Sequence, residues 1–362
     1  MGPYRTLIRH GANIIAVDIP RDGMWRELIA LARNSPGTLH VPCLKPKDDK
    51  RSDAEFAAFV EDSAAAGTKE GDAAVASVAG CDLLGQTPEI KNWVLEVSEG
   101  HRIVIGNHTY LDGELHVRLS IAADAIIAAC QQARKRTKDV GCAFLCSPTD
   151  VFLHPPEAVE HAKRNHRNAP LWQKLVAPLF KMKVNARKPV KCDDGEERTA
   201  VDGLVIEQGP NYALAKRIQH WRVMVSRHEG YFASSNIAPS TATASVLSNK
   251  IFAVAYRGQA KFAAMEIVYQ ELSKAVMGGL LIHDVRNADS AAQPQNKVKL
   301  DHPMETFGEG AFHGGVWRTP FAFRTTGTVT FIVGFFNQFG IPFVTVEAAI
   351  VAAVAQLTSV AL

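Results

Sequence analysis

Along this chain, short apolar runs alternate with stretches whose apolar residues recur at helical spacing. Pro3 to His10 has helical spacing and stops at Gly11, and Asn13 to Val17 is an apolar run closed by Asp18, Ile19 and Pro20. The succession predicts a helix, a glycine turn and a buried strand of the parallel type with an acid at its end. Met24 to Arg33 predicts a second helix, Ser35-Pro36-Gly37 a turn, and Leu39 to Cys43 the next strand. A charged loop over Lys45 to Ser52 precedes a helix over Ala54 to Ala66. The small residues Ala73 to Ala79 predict a strand ending at Gly80. His101 to Asn107 reads as a short strand or turn, Val117 to Arg134 as an amphipathic helix, and Gly141 to Ser147 as a buried strand with a hydroxyl at its end. Asn211 to Arg227 predicts a helix, Phe232 to Ile237 a strand, Pro239 to Thr241 a loop and Met265 to His283 a long helix. The stripe Met265, Val268, Tyr269, Leu272 and Val276 on that last helix predicts core. Strands alternating with helices predict an α/β fold around a parallel sheet.

Between Ser147 and Tyr212 this rhythm breaks. Lys163, Arg164, Arg167, Lys174, Lys181, Lys183, Arg187, Lys188, Lys191 and Arg198 make the segment basic, and Leu171, Trp172, Leu175, Val176, Leu179 and Phe180 give it an apolar stripe. A surface insertion with its own small helix fits this pattern. So does a lid favouring acidic substrates such as phosphate or coenzyme A esters, or a contact with an anionic membrane. Asn287 to Asp301 reads as a polar loop. From Thr328 to Leu362 the only ionisable side chain is Glu347. That composition predicts a strand over Thr328 to Phe335 and then a buried helix rich in Ala and Val. A tail that anchors in a membrane or docks on a protein partner is the alternative.

Composition narrows the class. Charged residues are 21% and hydrophobic ones 47%, enough apolar material for a large core. A net charge of +3 is too small to argue for nucleic acid. Six cysteines without a Cys-x-x-Cys pair, and no secretory signal, predict free thiols in a reducing intracellular compartment, cytoplasmic or organellar. His283, Asp284, His302 and Glu305 fit no ligand spacing, so no metal is expected. The Gly-rich aromatic loop Phe312 to Arg318 reads as packing beside the core or lining a substrate pocket.

The candidate chemistry centres on Tyr212 and Lys216, four apart and hence on one helix face. There an ammonium stabilises a phenolate, and the phenol exchanges a proton with a carbonyl oxygen. Three other segments accompany the pair: Arg9 to Asp18, with its strand-end acid; Ser77-Val78-Ala79-Gly80; and Ala143 to Phe152, with Ser147 and Thr149. Downstream of the pair itself, Ser235-Asn236-Ile237-Ala238-Pro239-Ser240-Thr241 follows a strand.

With these segments in order, residues 1–285 resemble the short-chain dehydrogenase/reductase superfamily, its extended branch in particular. The resemblance implies a Rossmann-like, doubly wound parallel sheet over 1–285, with an insertion at about 153–200 and a C-terminal extension, 286–362, on the substrate or docking side. It implies an NAD(P)-dependent oxidoreductase acting on a small carbonyl or alcohol substrate, and a homo-oligomer. Tyr212 would be the acid/base, Lys216 would lower its pKa and bind the nicotinamide ribose, and Ser147, or Thr149, would polarise the carbonyl. Asp18 would bind the adenosine ribose and favour NAD, a preference that Arg21 blurs towards NADP. Ala79 and Gly80 would let the backbone approach the cofactor, and Ala238 and Pro239 would lie near the carboxamide. Where the family carries a helix-borne Asn, this chain has Arg118 or Ser120.

The chain also departs from the family at its start, Met1-Gly2-Pro3. Gly2 would be the last glycine of the pyrophosphate turn, with the first strand and earlier glycines missing. Three explanations stand: a longer chain of which this is part; a strand over Thr328 to Phe335 filling the gap; or a Rossmann-like protein that binds no dinucleotide and serves as a non-catalytic subunit of a larger, membrane-associated assembly.

Overall fold

The structure is a computed structural model and describes residues 2–147, 150–154, 156–186, 189–191, 195–202, 209–243, 247–262, 266–296, 304, 318–341 and 348–349. In chain order the elements are α1 (Tyr4–Arg9), β1 (Asn13–Ile15), α2 (Asp22–Arg33), β2 (Thr38–His40), α3 (Asp53–Ala66), α4 (Lys69–Val78), α5 (Thr87–Val97), β3 (Ile103–Asn107), α6 (Glu114–Ala133) and β4 (Val140–Cys146). There follow β5 (Val151–His154), α7 (Pro156–Arg167), α8 (Leu171–Leu179), β6 (Val190–Lys191), β7 (Glu197–Asp202), α9 (Gly209–His228), β8 (Ala233–Ile237), α10 (Lys250–Gln259), α11 (Gln270–Arg286), a 3-10 turn (Phe323–Thr325) and α12 (Gly327–Gln338). The fold is α/β with parallel strands, as the alternation predicts.

The chain divides into two compact units. The first comprises Met1–Phe144, Arg217–Ser234 and Lys274–Lys297; the second comprises Leu145–Lys216, Ser235–Ser273 and Val298–Leu362. The expected run 1–285 therefore contributes to both.

In the first unit β1 and β2 pair in parallel, Asn13 opposite Thr38 and Ile15 opposite His40. Their cover is a core of Ile8, Trp25, Leu28, Ile29, Val75 and Ala76 from α1, α2 and α4. A second core joins Ile90 and Val94 of α5 to Ile126 and Cys130 of α6 and to Val140. There β3 lies parallel to β4, in register from Ile103 opposite Val140 to Asn107 opposite Phe144. β4 is the central strand, with β8 on its other side. Cys142 N donates to Phe232 O at 3.0 Å and Ala238 N to Cys146 O at 2.8 Å; partner numbers rise together, so β8 is also parallel. Among the described residues the parallel strands form two separate sheets, β1-β2 and β3-β4-β8. β4 is buried along nearly its whole length and reads as a continuous apolar run for that reason.

In the second unit the segment expected as an insertion has its own antiparallel sheet, ordered β5-β7-β6, with α7 and α8. Trp172 and Val176 of α8 pack with Phe262, Phe321, Val329 and Val333. α10 and α12 cross at very close range: a Cβ on Gly258 would strike the Thr330 carbonyl, and one on Gly334 the Val254 carbonyl.

Four expectations are corrected. Ala73 to Ala79 is not a strand but the end of α4, whose N-terminus is capped by Thr68 Oγ1 accepting from Gly71 N at 3.1 Å. Alanine-rich sequence behind such a cap propagates as helix. Thr328 to Phe335 is likewise helical, within α12. Its β-branched residues favour a strand locally, but Val329 and Val333, four apart, supply a buried helical face. The strand that was to fill the gap in the sheet therefore does not exist. The long helix from Met265 begins only at Gln270, because Val268 pairs as a bridge with Thr241. Of its stripe, Tyr269 and Leu272 are exposed and Val276 marginally so, so these positions are not core, while Met265 lies outside the described residues. Finally, α5 and α10 were not expected from the sequence, although Pro88 in the first turn of α5, its apolar Ile90 and Val94, and the Asn249 cap of α10 signal them.

The Ala/Val-rich tail, Phe343 to Leu362, falls outside the described residues apart from 348–349, as do Thr149, His302, Glu305 and most of the loop Phe312 to Arg318. Among the described residues no helix is long and apolar enough to cross a membrane.

Candidate functional site

Five of the expected site residues lie in the second unit: Ser147, Tyr212, Lys216, Ala238 and Pro239. β4 ends at Cys146, so Ser147 is the first residue beyond its carboxyl end, half-buried. β8 ends at Ile237, and the next residue, Ala238, is tied back to Cys146 by its backbone N–H at 2.8 Å. Two neighbouring parallel strands therefore present Ser147 and Ala238-Pro239 at the same end. In α/β proteins ligands bind at the carboxyl ends of parallel strands.

α9 supplies the remaining pair. Tyr212 and Lys216 are one turn apart, both half-buried, with the Lys216 ammonium 5.7 Å from the Tyr212 ring centroid. Lys216 Nζ also donates to the Leu145 carbonyl at 3.3 Å. Leu145 lies two residues before Ser147, so the ammonium ties the tyrosine-bearing turn of α9 to the end of β4. Burial pushes the Lys216 ammonium below the ordinary lysine value, and Coulomb interactions with the nearby Cys146 and Asp150 side chains oppose the shift. Asp150 is buried, with one carboxylate oxygen accepting from Val151 N at 2.7 Å. Cys146 Sγ and Ser235 Oγ lie 3.3 Å apart across β4 and β8. Cys146, Asp150 and Ser235 thus join the neighbourhood without having been singled out. A cysteine inside an apolar strand and an acid after a turn carry no periodic signal that would have marked them.

Asp18, Gly80, Ala79 and Gly2 lie in the first unit. Three of them meet. Cys81 N donates to the Asp18 carbonyl at 2.9 Å, and Gly80 N to Pro42 O at 2.8 Å. Ala79 is buried and bridges Cys43. Asp18 is exposed, and its Oδ1 accepts from the neighbouring Ile19 N at 2.8 Å. Gly80, at φ +117°, passes so close to Pro20 that a Cβ would stand 2.6 Å from its nitrogen. This contact alone requires glycine there. Ala79 and Gly80 follow a helix, and the strand end beside β4 is Asn107 instead. Asn107 is buried, with its side-chain oxygen accepting from Thr109 N at 3.1 Å and Thr109 Oγ1 at 2.8 Å. Gly2, at φ +26°, lies beside His108, the residue after that strand end.

Of the two relay positions on α6, Ser120 is fully buried and Arg118 pairs with Glu114 at the surface, 3.5 Å away. The described cysteines are free, and burial raises the Cys142 thiol to about 12. Among the described residues no cluster could hold a metal ion. Asp284 accepts instead from Ser234 Oγ at 2.7 Å and Ser290 Oγ at 2.6 Å, a structural role. No family model matches the chain, and neither does any curated protein or solved structure.

Proposed function

We propose that the chain is an NAD(P)-dependent oxidoreductase with a Rossmann-like fold, acting on a small carbonyl or alcohol substrate in the manner of the short-chain dehydrogenases/reductases. One observation carries this reading: Lys216, a turn beyond Tyr212, reaches back to the end of the strand that precedes Ser147. Tyr212 protonates the carbonyl oxygen as hydride arrives, or takes the alcohol proton in the reverse direction. Ser147 donates a hydrogen bond to the same oxygen and stabilises its developing charge. Lys216 holds positive charge beside the phenol, which favours phenolate. Asp18, exposed after β1, accepts from ribose hydroxyls and favours NAD over NADP. The bound dinucleotide supplies the hydride.

The test is a titration of the full chain with NADH and NADPH, followed by energy transfer from tryptophan. A saturable signal is expected for both, with tighter binding of NADH, and Asp18→Asn should erase that preference. With cofactor bound, a panel of carbonyl substrates should reveal a turnover that Tyr212→Phe lowers about a thousandfold. Unchanged turnover in that variant would remove Tyr212 from the chemistry.

A second reading, a non-catalytic Rossmann-like subunit, is favoured by the division of the parallel strands into two sheets and by the helix that precedes Ala79-Gly80. It predicts silence in both titrations at millimolar cofactor.

A further inference from the structure

The charge of this chain is nearly balanced, with 40 Lys and Arg against 37 Asp and Glu, yet three packed stretches are not. Residues 168–186, 247–262 and 318–341 carry α8, α10 and α12, which share one core through Trp172, Val176, Phe262, Val329 and Val333. They hold eight cations and no carboxylate: Lys174, Lys181, Lys183, Lys250, Arg257, Lys261, Arg318 and Arg324. The same stretches expose large apolar side chains. Ile251 is 62% exposed, Phe339 64%, Phe335 44% and Phe336 39%. The rings adjoin: Phe335 stacks on Phe331 at 6.3 Å and meets Phe339 edge-on at 4.8 Å. Cations flank them. Lys250 adjoins Ile251 in the chain, and Arg257 reaches Gln338, next to Phe339, at 3.4 Å. Gly258 and Gly334 let α10 and α12 pack backbone against backbone.

We infer that the α10–α12 pair is an interfacial docking element for an anionic lipid bilayer. Exposed phenylalanine beside lysine and arginine is the composition of helices that lie in the headgroup region. α12 has 12 residues, about 18 Å of helix. That is too short to cross the ~30 Å hydrocarbon layer, so the element lies in the surface and does not span it. A second copy of this chain is a poor occupant: among the described residues of these three stretches it would bring cations against cations with no carboxylate. Acidic headgroups complement Lys250, Arg257 and Lys261, at about a fivefold gain in affinity for each engaged cation. This inference is independent of the oxidoreductase reading, and its test needs neither cofactor nor turnover.

The experiment is sedimentation of the full chain with vesicles of phosphatidylcholine containing about one-third phosphatidylserine, against phosphatidylcholine alone. The chain should sediment with the acidic vesicles, and added salt should release it. Phe335→Ser/Phe339→Ser should weaken binding at least tenfold, and Arg257→Gln/Lys261→Gln about twentyfold. These side chains are exposed, so unchanged circular dichroism and melting should accompany both variants. Failure to bind acidic vesicles overturns the inference. So does binding that neither variant weakens, which would assign it to another segment. Loss with the charge variant alone marks a general polyanion surface and overturns it too. So does a dimer in solution that Phe335→Ser/Phe339→Ser dissociates, since a second copy would then own the face.

Discussion

The two halves of α9 carry their cations differently. In the C-terminal half Arg222 meets Asp124 through two hydrogen bonds, 2.6 and 2.8 Å, which raise the arginine's pKa and leave its charge fully answered. Ser226 exchanges bonds with Gln131 at 3.1 and 3.2 Å and accepts from Cys142 Sγ at 3.5 Å. In the N-terminal half the Lys216 ammonium meets a backbone carbonyl and lies near the Tyr212 ring, with its pKa lowered by burial. A satisfied, bidentate pair fixes structure. A half-buried amine with a lowered pKa beside a phenol is a group set up to exchange or steer protons. One helix thus carries a structural cation and a chemical one two turns apart.

The contrast can be broken by substitution. The largest effect belongs to Lys216→Met, which should cost about a thousandfold in turnover while leaving the melting temperature level or higher. A large loss of stability there would make Lys216 structural as well. Asp124→Ala should do the reverse, lowering unfolding free energy by about 3 kcal/mol in a urea titration while sparing cofactor binding. Ser226→Ala should cost about 2 kcal/mol, because it takes the Ser226 donor from the buried Gln131 side-chain oxygen. The smallest signal is a pH slope. The folded chain holds the Lys216 proton less tightly than the unfolded chain does, so stability should rise with pH in the window just below 10.5. Lys216→Met should flatten that slope, and an identical slope in both proteins would contradict the burial.

The helices α1, α2, α6 and α9 were legible from the apolar spacing within their spans, and α3 adds a cap to that spacing. Ser52 and Glu55 form a capping box at α3, just where the charged loop ends. The strand β4 was legible because burial on both sides leaves an unbroken apolar run. The errors have a common cause. Ala73 to Ala79 and Thr328 to Phe335 are short runs of small or β-branched residues, whose periodicity does not separate a strand from a buried helix. In both, the decision came from elsewhere in the chain: the Thr68 cap at α4, and the packing of α12 on α10. Tyr212 and Lys216 were legible as an i, i+4 pair. The strand ends at Asn107 and Cys146 were legible as well, but their adjacency, and the place of Asp150 beside Lys216, were not, because spacing does not encode which strands pair. Nor does spacing reveal that Ala79-Gly80 follows a helix, with glycine fixed there by Pro20.

The chain passes between its two compact units five times, after residues 144, 216, 234, 273 and 297. As the polypeptide leaves the ribosome, the first unit is complete only once residue 297 has emerged, by which time much of the second has been synthesised. A nascent chain that stopped between them would leave both unfinished. Gene fragments encoding one unit alone would have to be spliced from separate stretches of the sequence.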